Sequence, residues 1–231
     1  MITVRRVWLI RHGQSESNAG LPTNGPGASP LTERGRRQAA RMAATFTEAP
    51  ALIVSSPFLR ARQTAEPTVE RFPEVPYEEW PVQEFTFLGR FHSAQTTGEQ
   101  RRPFADDYWQ RLDPGYVNGH DGESFRALIT RARAFLDRLA ERPADGPIAV
   151  FTHGVFTKAV VWSLLSGVTA PDAAAMRAFR DFQGLYDVPN CSIVELWRPS
   201  GSYGWRVVAG ATMHLAETFA APGVASPARF D

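Results

Sequence analysis

The stretch Val7-Trp8-Leu9-Ile10-Arg11-His12-Gly13 runs from four apolar residues directly into an arginine, a histidine and a glycine. Four apolar residues in a row, with β-branched members from Val4 onward, predict a buried strand over Val4–Ile10. Its carboxyl end delivers Arg11 and His12, and Gly13 permits a sharp exit. The same arrangement returns twice. Leu52-Ile53-Val54 stops at Ser55-Ser56-Pro57, and a helix through Arg60, Ala61 and Thr64 follows. Ile148 to Phe151 runs into Thr152-His153-Gly154, with a helix predicted from Val155 to about Leu165.

Strands that alternate with helices predict an α/β fold with a mostly parallel central sheet and helices on both faces. Between the three strands, Leu21 to Pro30 is rich in Pro and Gly and reads as a loop. Thr32-Glu33 starts a helix that is expected to end near Pro50. From Arg71 to His120 the pattern loosens, with one short helix predicted around Asp106 to Arg111. After Gly122-Glu123-Ser124, the residues Phe125, Leu128, Ile129, Ala132, Phe135, Leu136 and Leu139 fall at helical spacing. Ala173 to Phe179 reads as helix. Ser192–Trp197 and Trp205–Ala209 read as strands joined by a Gly201–Gly204 turn. Residues 1–215 are expected to form a single domain with an insertion at about 80–120, and 216–231 a loose tail.

Composition narrows the function classes. The chain has 231 residues, 43% hydrophobic and 21% charged, and a formal net charge of +1, so no global field recruits nucleic acid or membrane. Lys158 is the single lysine among 25 basic residues, which makes arginine abundance a property of the whole chain rather than evidence for a phosphate site. Cys191 is the single cysteine, so no intrachain disulfide forms. No signal-like or membrane-length apolar run is visible, and a cytoplasmic location is the expectation. Metal-ligand spacing and a Walker-type glycine loop are also missing, so no metal and no cofactor is expected.

Neighbouring parallel strands would bring Arg11, His12, Arg60 and His153 to one sheet edge, where α/β folds place their chemistry. Each of these strand ends opens into a helix N-terminus, with Gly154 starting the last, and helix N-termini favour anions. Arginine matches phosphate oxygens as a fork. A neutral histidine with one nitrogen held by a hydrogen bond can attack phosphorus, and Arg11, Arg60 and His153 would hold the developing charge. The leaving oxygen then needs a proton, for which a carboxylic acid is the usual source where no metal helps.

Three strings carry a resemblance. Arg11-His12-Gly13-Gln14-Ser15-Glu16-Ser17-Asn18, Ser55-Ser56-Pro57-Phe58-Leu59-Arg60-Ala61-Arg62-Gln63-Thr64-Ala65 and Thr152-His153-Gly154 resemble, in order, the motifs of the histidine phosphatase, or phosphoglycerate mutase-like, superfamily. The likeness spans about Val4 to Trp197. It implies a three-layer α/β sandwich with a helical and loop insertion over the active site. It implies that His12 is phosphorylated and that Arg11, Arg60 and His153 form the phosphate pocket, with Ser15 and Asn18 as further polar contacts. It also implies a proton donor in a Glu-x-x-x-Gly stretch. Glu84 in Gln83-Glu84-Phe85-Thr86-Phe87-Leu88-Gly89 fits with the glycine one residue late, and Arg90-Phe91-His92 stands where the family has Trp-Glu-Gly. Asp121 and Glu123 are the alternative acids.

The expected activity is that of a metal-independent, histidine acid phosphatase-type phosphomonoesterase acting on a small-molecule phosphate ester. A mutase is the second reading, although Ser17 before Asn18 and the composition of Leu21–Ala28 depart from the glycolytic mutases. A phospho-ligand binding protein without catalysis is the third. His92, His120 and His214 read as isolated surface or structural residues. The aromatics Trp80, Phe85, Phe87, Phe91, Phe104, Tyr108 and Trp109 read as the core of the insertion or as a cap over the substrate.

Overall fold

A computed structural model describes residues 4–143, 145–201 and 204–208. In chain order the elements are β1 (Val4–Arg11), α1 (Glu33–Ala44), β2 (Leu52–Ser55), α2 (Leu59–Arg71), β3 (Tyr77–Glu79), α3 (Gly98–Arg111), α4 (Phe125–Glu141), β4 (Ile148–Thr152), α5 (Gly154–Ser166), α6 (Ala173–Leu185), β5 (Ile193–Pro199) and β6 (Arg206–Val208). Short 3-10 turns at Gly89–Phe91 and Asn118–His120 punctuate the insertion.

The sheet has six strands in the order β3-β2-β4-β1-β5-β6. β1, β2, β3 and β4 run parallel, whereas β5 lies antiparallel on β1 and β6 antiparallel on β5. β4 is therefore inserted between β1 and β2, with Arg11 paired to Thr152 and Ser55 to Phe151. This register aligns three strand ends on one edge.

Side-chain alternation along the strands divides the interior into two layers. Val7, Leu9, Leu52, Val54, Ile148, Val150, Val194 and Leu196 face one side, where they pack with α4, α5 and α6. Ile10, Ile53, Ala149 and Phe151 face the other, against Met42 and Phe46 of the α1 region and Ala65 of α2. Because β1, β2 and β4 are covered on both faces, they read as continuous apolar runs rather than alternating ones. α4 buries all seven of its helically spaced apolar residues. Truncating one of them, as in Leu128→Ala, removes packing worth about 2–5 kcal/mol.

Some boundaries differ from the sequence expectation. α1 stops at Ala44 rather than near Pro50, because Thr45 caps it: both its backbone N–H and its hydroxyl donate to the Met42 carbonyl, at 3.1 and 2.7 Å. The helix expected over Asp106–Arg111 begins eight residues earlier, at Gly98, where Thr97 and Gln100 form a reciprocal capping box. β3 was hidden in the loose region because three residues, Tyr-Glu-Glu, are too short and too polar to carry a strand pattern. α6 continues past Phe179 to Leu185. The proposed tail at 216–231, His214, Ala209 and the middle of the Gly201–Gly204 turn lie outside the described residues. Among the described residues, no helix is long and apolar enough to cross a membrane.

Candidate active site

The loop that leaves β1 is pressed onto the start of α1. A Cβ on Gly35 would lie 2.1 Å from the Gln14 carbonyl oxygen, and one on Gly13 would lie 2.6 Å from the Gly35 oxygen. Gly13 is thus required by close backbone approach rather than by the shape of its own turn. Its N–H donates to Thr64 Oγ1 at 3.0 Å, and that hydroxyl donates to the Arg60 carbonyl at 2.6 Å. The β1 exit and the first turns of α2 are therefore one hydrogen-bonded unit.

His12 is 2% exposed. Its Nδ1 lies 2.7 Å from the Gly13 carbonyl oxygen, and its Nε2 lies 3.0 Å from Arg60 Nε. A carbonyl only accepts and a guanidinium only donates, so both partners demand the same tautomer: a proton on Nδ1 and a lone pair on Nε2. Burial, then the charges of Arg60 and Arg11, hold the imidazole well below its ordinary pKa of 6.5, against a smaller opposing effect of the Gly13 carbonyl. The ring is neutral at pH 7.

His153, delivered by β4, places its ring centroid 5.0 Å from that of His12, with the two planes tilted by 59°. Its Nε2 lies 2.8 Å from Ser56 Oγ, and the edge of Phe58 approaches at 5.3 Å between centroids. Burial first, and the Arg60 charge second, hold it well below 6.5 as well. Its Nδ1 is buried and has no hydrogen-bond partner among the described residues. Arg60 also donates through Nη1 to the Pro26 carbonyl at 2.7 Å and lies over the Phe58 ring. Arg11 donates through Nη1 to the Val188 carbonyl at 2.7 Å, and Gly154 leaves room beside it: a Cβ there would sit 3.4 Å from Arg11 Nε.

Glu84 reaches the start of α5 from the insertion. Its Oε1 accepts from Phe156 N–H at 3.1 Å and its Oε2 from Val155 N–H at 3.2 Å, placing the carboxylate on the first turn after His153. The two alternative acids are engaged elsewhere. Asp121 accepts from the Arg90 N–H at 2.9 Å. Glu123 makes a two-pronged ion pair with Arg131. Ser15 and Asn18 bind each other, Ser15 N–H to Asn18 Oδ1 and Asn18 N–H to Ser15 Oγ, both at 3.3 Å.

Sequence reasoning missed Asn190, whose Nδ2 donates to the His12 carbonyl at 2.9 Å and to Asn18 Oδ1 at 3.1 Å. The signal was indirect: the carbonyl of a buried His12 requires a donor from somewhere. Ser56 was read as a strand stop and as part of the second motif with no role of its own, although its hydroxyl meets His153. His92 is not an isolated surface residue. Its Nε2 lies 2.9 Å from Thr23 Oγ1, and burial, then Arg101 and Arg60, lower its pKa to about 4. The aromatics divide. Trp80, Phe85, Tyr108 and Trp109 are buried core, while Phe91 stacks on a half-exposed Phe104 at 4.7 Å.

Buried paired histidines at parallel strand ends, with arginines beside them, define a class of phosphoryl-handling site. The chain belongs to the histidine phosphatase superfamily (branch 1), whose family model matches residues 7–203. It is 28% identical to the adenosylcobalamin/alpha-ribazole phosphatase of Salmonella typhimurium over 187 residues, covering 78% of this chain and 88% of the relative. It is 30% identical to the Shigella boydii protein named probable phosphoglycerate mutase GpmB over 223 residues, covering 91% and 94%. Among solved structures, a mycobacterial glucosyl-3-phosphoglycerate phosphatase superposes with a TM-score of 0.66 at 28% identity, covering 89% of this chain and 97% of that one.

Proposed function

We propose that this protein is a metal-independent phosphomonoesterase that hydrolyses a small phosphate ester through a phosphohistidine on His12. The observation that carries the reading is the enforced tautomer of His12: Nδ1–H is committed to the Gly13 carbonyl, and the Nε2 lone pair faces Arg60. The similarity to named phosphatases favours transfer to water.

In this reading, an incoming phosphoryl group takes the Arg60 N–H away from His12 Nε2 and frees the lone pair. Nε2 attacks phosphorus, the P–O bond to the alcohol breaks, and the Glu84 carboxyl gives its proton to the departing oxygen. The ring, now bonded to phosphorus and still protonated at Nδ1, carries positive charge that the Gly13 carbonyl faces. Arg11, Arg60 and a proton on His153 Nδ1 take the phosphoryl oxygens. Water then attacks phosphorus, Glu84 receives its proton, the N–P bond breaks, and inorganic phosphate leaves with His12 neutral again. Ser15 and Asn18 act beneath the pocket, through Asn190 and the His12 main chain.

The similarity to a protein named as a mutase supports a second reading, in which the phosphoryl group passes to an alcohol instead of water. One experiment addresses both. Protein mixed with a radiolabelled phosphate ester and quenched should carry acid-labile, base-stable phosphate, absent in His12→Ala. Chasing with and without an alcohol acceptor then measures how the label divides between water and alcohol. A stable protein-bound label in His12→Ala sinks the nucleophile assignment, and predominant transfer to the acceptor favours the mutase.

A further inference from the structure

Arg131 lies in the second turn of α4, and Glu123 precedes that helix by two residues. Both side chains are only 13% exposed. The pair is two-pronged, Arg131 Nε to Glu123 Oε1 at 2.9 Å and Nη2 to Oε2 at 2.8 Å. The third nitrogen, Nη1, donates to two main-chain carbonyls, Pro81 at 3.0 Å and Gln83 at 2.8 Å. Glu123 takes the other side of the same segment: its N–H donates to the Thr86 carbonyl at 3.1 Å, and its Oε2 accepts from the Thr86 N–H at 3.4 Å. Thr152 fixes the carbonyl between the two held by Arg131, donating to Val82 at 2.6 Å. The guanidinium also lies 4.8 Å over the ring of Phe156, whose N–H binds Glu84.

The main-chain contacts of this pair fall on Pro81, Gln83 and Thr86, which flank Glu84, and none of its contacts falls on the Glu84 carboxyl. We propose that the Arg131–Glu123 ion pair is the positioning device for proton transfer, clamping residues 81, 83 and 86 so that Glu84 presents its carboxyl on the first turn of α5. The inference rests on the reading of Glu84 as acid and base given above. The physical reason for an ion pair at this place is geometric. The insertion supplies Glu84 from a segment without regular secondary structure, which has no ladder to hold it. A guanidinium donates in several directions from one rigid plane, so one side chain fixes two carbonyls and a carboxylate together. Displacement of a reacting group by about 1 Å costs on the order of 10²-fold in rate.

The test uses Arg131→Met, Arg131→Lys and Glu123→Gln, each alone and combined with Glu84→Gln. Rates are measured with an alkyl phosphate and with p-nitrophenyl phosphate, and inorganic phosphate inhibition reports the His12, Arg60 and His153 pocket. Arg131→Met should lower kcat on the alkyl phosphate by on the order of 10²-fold, with a smaller loss on p-nitrophenyl phosphate, whose leaving group departs without a proton. Inhibition by inorganic phosphate should not change. Arg131→Lys should recover only part of the loss, since an ammonium cannot form the fork. On the Glu84→Gln background the further loss should vanish, because a positioning residue has nothing left to position. Glu123→Gln and Arg131→Lys carry the test if Arg131→Met fails to fold. The proposal is overturned if these variants keep the wild-type rate on the alkyl phosphate, if they lose as much on the Glu84→Gln background, or if weakened phosphate inhibition accounts for the loss. If Glu84→Gln alone is silent, the reading of Glu84 has failed first, and the positioning role falls with it.

Discussion

Arg60 Nε donates a 3.0 Å hydrogen bond to His12 Nε2, the lone pair that attacks phosphorus in the proposed reaction. Under that proposal the arginine occupies the nucleophile until an anion draws it away, and substrate binding and nucleophile release become one event. Arg60→Lys keeps the charge but loses the planar donor that makes this exchange. We expect kcat/KM on p-nitrophenyl phosphate to fall by about 10²–10³-fold, the range for losing one oriented donor to a developing anion. A loss under tenfold would mean that the charge alone suffices.

Glu84→Gln retains the shape of the side chain and removes the transferable proton, although its amide nitrogen cannot accept from one of the two N–H groups at the start of α5. With an alkyl phosphate the loss should reach about 10²–10⁴-fold. With p-nitrophenyl phosphate the phosphorylation step should be far less affected, and slow hydrolysis of phosphohistidine should appear as a burst of nitrophenol. The same pattern in Asp121→Asn, with Glu84→Gln silent, would move the proton donor to Asp121.

The depressed pKa of His12 has a kinetic sign. An ordinary imidazole would lose its lone pair as pH falls through 6.5, and kcat/KM would fall with it. Burial and the two arginines keep His12 neutral well below that value. The pH profile of kcat/KM, corrected for ionisation of the substrate phosphate, should therefore stay level through pH 6.5. An acid limb centred on 6.5 in the wild-type protein after that correction would contradict this account.

Stability has its own pH dependence. Unfolded His92 takes up a proton near 6.5, whereas folded His92 does so only at about 4. Between these values the unfolded chain binds the extra proton, so stability is fully present above 6.5 and is lost as pH falls towards 4. His12 and His153 act in the same direction. His92→Gln should lower the drop in Tm between pH 7 and pH 5 relative to wild type. Parallel Tm profiles for the two proteins would remove His92 from the explanation.

Gly35→Ala tests the contact between α1 and the β1 exit loop. A methyl group 2.1 Å from a backbone oxygen cannot be absorbed by a rotamer change, so helix or loop has to move. Overpacking of this kind costs about 1–3 kcal/mol. Denaturant unfolding should show the loss, and activity should fall further than stability, because the loop that moves carries His12 and Gly13.

The three strand ends were legible because each is a short, wholly buried run closed by polar residues, and the sheet order then brings Arg11, His12, Arg60 and His153 together. Glu84 was harder to read. Its segment has no periodicity, and its place at α5 depends on long-range hydrogen bonds to Val155 and Phe156. Asn190 was illegible because one asparagine in a loop carries no pattern, and its partner lies far away along the chain. The length of α3 was obscured by Gly98 and Pro103, poor helix formers that the Thr97–Gln100 cap overrides.

The placement of β1 between β4 and β5 also fixes an order of events in time. β1 is synthesised before the other strands of the described residues, yet its two neighbours are residues 148–152 and 193–199. A growing chain on the ribosome carries the complete Arg11-His12-Gly13 segment from the start with no strand to pair it. Not until β4 emerges can the histidines meet, and not until β5 and Asn190 follow is the His12 carbonyl held. The candidate site is thus incomplete until nearly all the described residues have been made, and a strand that buries Val7, Leu9 and Ile10 waits longest for cover. That is the interval in which a chaperone has most to protect.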